Sequence, residues 1–369
     1  APTYCGSAAA ARPGGPGRAP PASRNSPAWR EPGRALTLHQ ATSKPRLPGG
    51  SRGGHAPISA SSRGLGPGTG RTMDLVLNYV DYNFFTPYVY PTTWPEDEPF
   101  RQIASLLIVT NLGALVLYLL FGTLSYYLVF DHSLKQHPQF LENQVQLEIK
   151  YALQSLPWIS IPTVALFFAE VRGYSRLYDN IRDSPYGWFG VILSMLSFLF
   201  FTDMCIYWIH RFLHHKLLYK RLHKPHHRWK VATPFASHAF HPVDGFLQSI
   251  PYHLYPFLFP LHKVTYLGLY IAVNVWTISI HDGDYRVPHF LKHIINGSAH
   301  HTDHHLYFDY NYGQYFTLWD KIAGSYKSPS SFEGKGPHDY LKKLKSGELA
   351  SIKNGPVDEL VKRDSLKNK

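Results

Sequence analysis

The chain has 369 residues, 44% of them hydrophobic, and a formal net charge of +12 at pH 7. The charge is concentrated near the start, because residues 1–72 hold ten Lys or Arg and one acid and so carry +9 of the total. The remaining chain does not have the basic surface with interleaved aromatics that nucleic-acid binding needs, and we exclude that class. Two cysteines, Cys5 and Cys205, support neither a disulfide framework nor a thiolate metal site.

Residues 1–72 differ in composition from the rest of the chain and include 24 Pro and Gly. A segment of this kind buries too little apolar surface to offset the entropy of ordering, so we expect a disordered low-complexity extension. The composition changes at Met73, and we expect the folded domain to span residues 73–337. Residues 338–369 are polar and Lys-rich, which predicts a solvated basic tail.

Long apolar runs dominate the folded domain and predict an all-α, multi-pass helical membrane protein. About 20 apolar residues are needed to cross the hydrocarbon core of a bilayer. Three candidate spans are residues 103–130, 151–169 and 187–209. The second contains Pro157 and Pro162, which membrane helices tolerate when neighbouring groups satisfy the freed carbonyls.

A fourth apolar region covers residues 246–280 and is interrupted by three prolines. Its halves, residues 246–259 and 264–280, are each short for a full crossing. We therefore expect a hairpin that enters and leaves on one face of the membrane.

This hairpin determines which ends of the apolar segments lie on the same face of the membrane. It separates Ile209 from Ile280 by an even number of crossings, so both lie on the same face. The loop formed by residues 211–245 holds seven Lys or Arg and one acid. By the positive-inside rule that face is cytosolic, which predicts a cytosolic histidine-rich cap.

Histidine is unusually frequent: there are 22, of which 17 fall between His210 and His305. Ten form three boxes: His210, His214 and His215; His223, His226 and His227; His300, His301, His304 and His305. Helical spacings of three and four place side chains on one face, so the members of the first and third boxes can converge. Pro225 disfavours a continuous helix through the second box, and we expect His223 to reach the site from the preceding turn.

Boxes of this kind at the membrane edge predict a metal centre, because neutral imidazole is a common ligand for iron, zinc or copper. A catalytic ion rarely takes more than about four protein ligands. The ten box histidines, together with His281 at the end of the last apolar run, therefore favour two ions. Isolated histidines in the apolar regions are more typical of packing or interface positions.

Three other side chains are candidates for a supporting role or an extra ligand: Asp203, His238 and His241. Asp203 lies within an apolar helix, where an acid is costly and usually functional. It either orients an imidazole or pairs with another polar group.

At these motifs the chain resembles the membrane fatty-acid hydroxylase superfamily of histidine-box oxygenases, and within it the sterol C5-desaturases. The resemblance runs from Met73 to about residue 337. The blocks that carry it are TPYVYP at residues 86–91, HRFLHH at 210–215, HKPHH at 223–227, TPFASHAFHP at 233–242, HDGD at 281–284 and DYNYGQYFTLWD at 309–320. The boxes identify only the superfamily, whereas the longer blocks favour the sterol enzymes.

The resemblance implies a Δ7-sterol 5(6)-desaturase that converts lathosterol to 7-dehydrocholesterol in cholesterol biosynthesis, in the endoplasmic reticulum membrane. It implies two Fe²⁺ ions, which zinc can replace in a purified sample, with O₂ as co-substrate. Electrons would come from cytochrome b5 and its NADH- or NADPH-dependent reductase, and the sterol from the bilayer. The box histidines carry over as ligands, with one of His214 and His215 as the closer; His281 and His300 are added to them. Tyr207, Trp208 and Trp276 are the expected sterol contacts.

Two other functions remain open at this point. A sterol C4-methyl oxidase or lipid hydroxylase could share the same boxes. A membrane zinc transporter or sensor would place its ligands along a path inside the bilayer rather than beyond the helix ends. The sequon at Asn296 provides a check of topology, since a cytosolic site predicts that it is never glycosylated.

Overall fold

The computed structural model describes residues 75–348. The extension expected at residues 1–72 lies outside the described residues, as does the chain after residue 348. The regular secondary structure of the described part is helical apart from one pair of two-residue strands and one isolated bridge between Ile295 and Phe316. This confirms the predicted all-α class.

The α-helices and strands are numbered in chain order. The helices of the described part are α1 (Leu75–Val80), α2 (Thr86–Tyr88), α3 (Pro99–Leu128), α4 (Gln144–Val171), α5 (Gly187–Leu213), α6 (Lys216–Leu218), α7 (Pro242–Leu258), α8 (Lys263–Ser279), α9 (Ser298–Tyr307), α10 (Leu318–Ile322) and α11 (Pro337–Lys345). The strands are β1 (Leu177–Tyr178) and β2 (Leu261–His262).

Three of the described helices, α3, α4 and α5, are long and apolar enough to cross a membrane. They coincide with the three predicted spans. α3 begins at Pro99, where the Glu98 side chain accepts a hydrogen bond from the backbone N–H of Arg101 (2.8 Å). Large apolar side chains such as Leu112 and Val116 remain exposed on its outer face. Exposed apolar faces of this extent are covered by lipid in a membrane protein.

α7 and α8 form the predicted hairpin. Each has 17 residues, a length of about 25 Å at 1.5 Å per residue, which is less than the ~30 Å hydrocarbon core. Asp244 in the first turn of α7 contacts His223, and His281 follows the end of α8. The hairpin thus enters and leaves beside the histidine boxes. The ends of the apolar segments at Ile209 and Ile280 therefore come together there, as predicted.

The opposite ends of the helices are joined by the two strands. β1 lies between α4 and α5, β2 lies at the tip of the α7–α8 hairpin, and they pair in parallel with Leu177 opposite Leu261. Buried aromatic side chains from α5 and α7, Phe198 and Tyr255, pack in the same core at 5.1 Å between ring centroids. The hairpin is therefore attached to the spanning helices at both ends.

The segment between the second box and α7 packs on the histidine-side ends of α3 and α4. The Tyr118 hydroxyl donates to the carbonyl of Phe235 (3.0 Å). Buried Glu148 of α4 accepts hydrogen bonds from Gln144 (2.7 Å) and from the backbone N–H and hydroxyl of Thr233. Buried polar groups need such partners, and these bonds fix the loop that follows the second box.

The folded part extends past residue 337. Leu341 of α11 is buried in the same hydrophobic core as Trp229 and Val231. The first residues of the segment expected to be a solvated tail, 338–348, are thus structured, because one side of α11 carries an apolar residue that this core covers. The rest of that segment lies outside the described residues.

Candidate metal centre

The first histidine box lies at the end of the α5 span. His210 is in the last turn of α5 and buried, and His214 is the residue after the helix. Nδ1 of His210 donates to the carbonyl of Tyr312 (2.9 Å), so Nε2 carries the ring's lone pair. His215 turns outward and is exposed, and its Nδ1 accepts from the backbone N–H of Leu217 at the start of α6 (3.5 Å). The geometry therefore brings His214, rather than His215, towards the other boxes.

The second box is built from two short turns on either side of Pro225. His223 ends a widened helical turn before the proline, and His226 and His227 lie in a tight turn after it. This arrangement confirms that His223 reaches the site from the preceding turn. Its Nδ1 donates to Oδ2 of Asp244 (2.8 Å), and both side chains are fully buried.

The third box lies on one face of α9. His301, His304 and His305 point towards the other boxes, and the Nε2 atoms of His301 and His305 are 3.1 Å apart. Nδ1 of His304 donates to the carbonyl of Tyr310 (2.7 Å). The i, i+3, i+4 spacing thus produces the convergence expected from a helix.

His300, at the start of the same box, points elsewhere. It is fully buried, and its ring lies against those of Tyr326 (6.0 Å) and Phe332 (5.7 Å). His300 therefore lies on the face of α9 that points away from the converging imidazoles.

His281 approaches the third box from the end of α8. Its Nδ1 donates to the carbonyl of Thr277 (2.7 Å), and its Nε2 lies 3.0 Å from Nε2 of His301. The α7–α8 hairpin therefore contributes one imidazole to the same place as the boxes, in line with the sequence expectation.

Nine of the eleven candidate histidines form two adjacent groups. Within each group the nitrogen atoms that could bind a metal lie within 4.8 Å of one another. The groups are His210, His214, His223, His227 and His304, and His226, His281, His301 and His305. The rings of His227 and His305 are 4.7 Å apart, so the two groups adjoin. Two groups of five and four match the prediction of two ions, while the assignment of individual ligands stays a prediction.

The arrangement of ring nitrogens fits a bound cation. In the neutral form of each ring, His210 and His223 donate through Nδ1 to an oxygen that can only accept, which leaves two Nε2 lone pairs 3.0 Å apart. Nε2 of His304 has a lone pair for the same reason and has no hydrogen-bond partner within the described residues. Facing lone pairs repel each other and unpaired buried polar atoms are costly. A metal ion between them removes both penalties.

Burial keeps the imidazoles neutral. It lowers the pKa of His226, His227, His301, His304 and His305 well below the usual value of 6.5, and neighbouring histidines lower it further. Burial likewise lowers the pKa of His281 to about 4. A neutral imidazole is the form that binds metal. The site therefore offers its lone pairs at neutral pH.

The candidates for supporting roles occupy three different environments. Oδ1 of Asp203 accepts from the backbone N–H groups of residues 314–316 (2.7 to 3.3 Å), and so it anchors the loop before α10 rather than an imidazole. His238 bonds to Asn274 through Nε2 (3.1 Å). His241 accepts from the backbone at the start of α7. All three lie outside the two groups.

A cavity of about 110 Å³ adjoins the histidine groups on the side of the spanning helices; we call it the inner cavity. Its wall includes Thr277, whose carbonyl holds His281, and Phe240, whose ring stacks on His226 at 4.3 Å. None of the nine grouped histidines lines the inner cavity, so Thr277 and Phe240 stand between a molecule there and the metal groups.

The three expected sterol contacts are not among the residues that line the inner cavity. The Tyr207 hydroxyl is hydrogen-bonded to Ser325 (2.7 Å), Trp208 is half exposed on the outside of α5, and Nε1 of Trp276 donates to the carbonyl of Gln314 (2.6 Å). The expectation that they touch the sterol stays untested.

Several residues that support the imidazoles went unrecognised in the sequence. In the sequence Asp244 stands out only as the single acid of a basic loop, yet it orients His223. The carbonyls of Tyr310, Tyr312 and Thr277 hold three more rings. Oriented partners of this kind set which nitrogen can bind a metal. A usable signal was the position of Asp244 in the first turn after the helix-capping His241.

Membrane-capable helices that carry two adjoining histidine groups at their ends define a membrane metalloprotein, and the cavity beside the metal groups fits an enzyme of lipid chemistry. The Fatty acid hydroxylase family model matches residues 195–325, which include all three boxes.

Lathosterol oxidase of Mus musculus is 71% identical over 76% of this chain and 94% of its own length, and that of Homo sapiens is 71% identical over 76% and 93%. A Delta(7)-sterol 5(6)-desaturase of Schizosaccharomyces pombe is 52% identical over 70% of this chain and 84% of its own length. No solved structure matches the chain. The chain belongs to the family of lathosterol oxidases and Δ7-sterol 5(6)-desaturases, and it is an oxidoreductase.

Proposed function

We propose that the protein introduces the C5–C6 double bond into lathosterol, giving 7-dehydrocholesterol, in the endoplasmic reticulum membrane. The observation that carries this proposal is the pair of histidine groups that adjoin the inner cavity, in a chain that shares 71% identity with lathosterol oxidases. The reaction consumes O₂, two electrons and two protons, removes one hydrogen from each carbon and releases two water molecules.

Two iron ions are the metals we propose. Imidazole suits iron, zinc and copper, and of these zinc is excluded as the working metal by its lack of redox chemistry. The nine histidines of the two groups would hold the ions, which supply the reduction of O₂ and the cleavage of the C–H bonds. The protein's own residues orient the rings through Asp244 and the backbone carbonyls, and they bury the site away from bulk water.

We further propose that the histidine groups face the cytosol and receive electrons from cytochrome b5 and its reductase. Exposed cations lie beside the site on the loop between α5 and α7: Lys216, Lys220, Arg221, Lys224 and Arg228. A positive surface attracts an acidic electron donor, and positive loops face the cytosol.

The activity is tested by reconstituting the purified protein in liposomes with iron, cytochrome b5, its reductase and NADH. Sterols are then analysed by mass spectrometry after incubation with lathosterol. We expect 7-dehydrocholesterol, with one O₂ consumed per product. A hydroxylated sterol without a new double bond would instead support a hydroxylase of the same superfamily. Metal binding without O₂ consumption would support a transporter or sensor.

The orientation needs a test other than glycosylation. Asn296 is 1% exposed and its side chain donates to the carbonyl of Gly313, so the folded chain shields the sequon on either side of the membrane. We suggest labelling Lys220→Cys in sealed microsomes, in a background without Cys5 and Cys205. A cytosolic site predicts labelling by an impermeant maleimide before detergent is added. Labelling only after detergent would reverse the orientation.

A further inference from the structure

A second cavity lies between α1, α3 and α8, and we call it the outer cavity. Its volume is about 270 Å³, and its walls are mostly apolar. Typical wall residues are Val109, Gly113, Leu117, Leu267 and Ile271. None of the nine grouped histidines lines this cavity, and neither do the residues that hydrogen-bond to them.

The two cavities are neighbours. Thr110, Ala114 and Tyr270 line both of them. These residues form a shared wall, which must open for one elongated molecule to occupy both cavities. The outer cavity therefore adjoins the inner cavity, whose wall residues Thr277 and Phe240 contact the metal groups.

The cavities also follow one another along α8. The inner cavity touches α8 from Tyr270 to Thr277, next to His281, and the outer cavity touches it from Lys263 to Ile271. At 1.5 Å per residue, the wall from Lys263 to Thr277 is about 21 Å long. This length suits a rigid, extended molecule that lies along the helix.

The walls of the two cavities also change in polarity along α8, from polar near His281 to apolar further away. The inner cavity has His238, Asn274, Thr277 and Gln314 in its wall, whereas the outer cavity is lined by aliphatic side chains over most of its surface. A ligand that matches both has a polar group near the metals and an apolar portion away from them.

We infer that the outer cavity holds the branched alkyl side chain of the sterol, while the ring that bears the 3-hydroxyl lies in the inner cavity. This inference rests on the proposed function. The reacting C5 is two bonds from the carbon that carries the hydroxyl, so the hydroxyl must lie near the metals and the alkyl chain must point away from them. The outer cavity then determines which side chains are accepted.

Gly113 offers a direct way to fill the outer cavity. It lies inside α3 and lines this cavity, and a Cβ atom built on it meets nothing within 4 Å. A side chain at this position therefore begins in open space beside the cavity. Gly268 of α8 is a matched control, since a Cβ atom there is equally free but the residue is not part of the cavity wall.

The test compares lathosterol with the same Δ7-sterol nucleus lacking its alkyl side chain. In Gly113→Leu we expect the kcat/KM ratio of lathosterol to the truncated sterol to fall at least about tenfold, the discrimination that one or two methylene groups give in a filled pocket. Gly268→Leu should leave the ratio unchanged. Ile271→Trp, which fills the cavity from the opposite wall, should act like Gly113→Leu and serves if that variant does not accumulate.

The outcomes separate this inference from the proposed function. If the unmodified protein desaturates both sterols but neither cavity-filling variant changes the ratio, the outer cavity does not hold the side chain, and the proposed function stands. Equal losses on both sterols also overturn the inference. If the unmodified protein desaturates neither sterol, the proposed function fails and the inference fails with it.

Discussion

Asp244→Asn is the substitution that tests most directly how the second box is held. The carboxylate accepts from Nδ1 of His223 (2.8 Å) and from the side-chain amide of Gln248 (2.8 Å). An amide of the same shape has one oxygen for these two donors, so one contact becomes donor against donor. A buried hydrogen bond to a charged group contributes about 1.5–3 kcal/mol, which corresponds to roughly 10- to 150-fold in metal affinity.

The assay is a chelator titration of the iron-loaded protein, followed by metal analysis. We expect Asp244→Asn to lose metal at a chelator concentration at least about tenfold lower, with desaturation falling in parallel. Gln248→Leu is the matched control, because it removes the second donor and leaves the contact with His223 intact. An unchanged midpoint in Asp244→Asn, or an equal loss in Gln248→Leu, would refute the reasoning.

Three other predictions address the ligands, the pH response and the fold. His214→Ala should lower the metal content whereas His215→Ala should not, measured as iron per chain after purification; equal losses would contradict the placement of His215 outside the groups. Burial lowers the pKa of His281 to about 4, so dialysis at about pH 6 should leave the iron bound, and iron should be lost as the pH falls towards 4. The metal-free protein should lose stability below about pH 6.5, because the unfolded chain binds protons there before the folded chain does. Glu148→Ala leaves buried donors unpaired at about 1–3 kcal/mol each and should lower Tm by about 2–4 °C per kcal/mol, while Glu142→Ala, on an exposed residue before the same helix, should not.

The sequence was sufficient for the framework of the site because its signals are local. Apolar runs mark the spans, and three- and four-residue spacings place His301, His304 and His305 on one helix face. Short apolar halves with prolines indicate the hairpin that returns His281 to His210. Each inference uses residues within one element or its immediate neighbours.

The remainder depends on contacts between distant segments. Tyr312 is about a hundred residues from His210, and its carbonyl reaches that ring only through the loop that Asp203 anchors. His300 has the same helical spacing to His304 as His301 has to His305, so only the packing of Tyr326 beneath α9 shows that it faces away. Spacing alone could not distinguish these cases.

The limited length of α7 and α8 bears on the depth at which the sterol reacts. In the proposed membrane arrangement, two helices of about 25 Å, fastened at their tip to β1, would keep His281 level with the lipid headgroups at one border of the bilayer. A sterol resting in that leaflet already has its hydroxyl at the border and its alkyl tail towards the midplane. On the proposed orientation it can enter by sideways diffusion alone, without being lifted out of the leaflet or turned over.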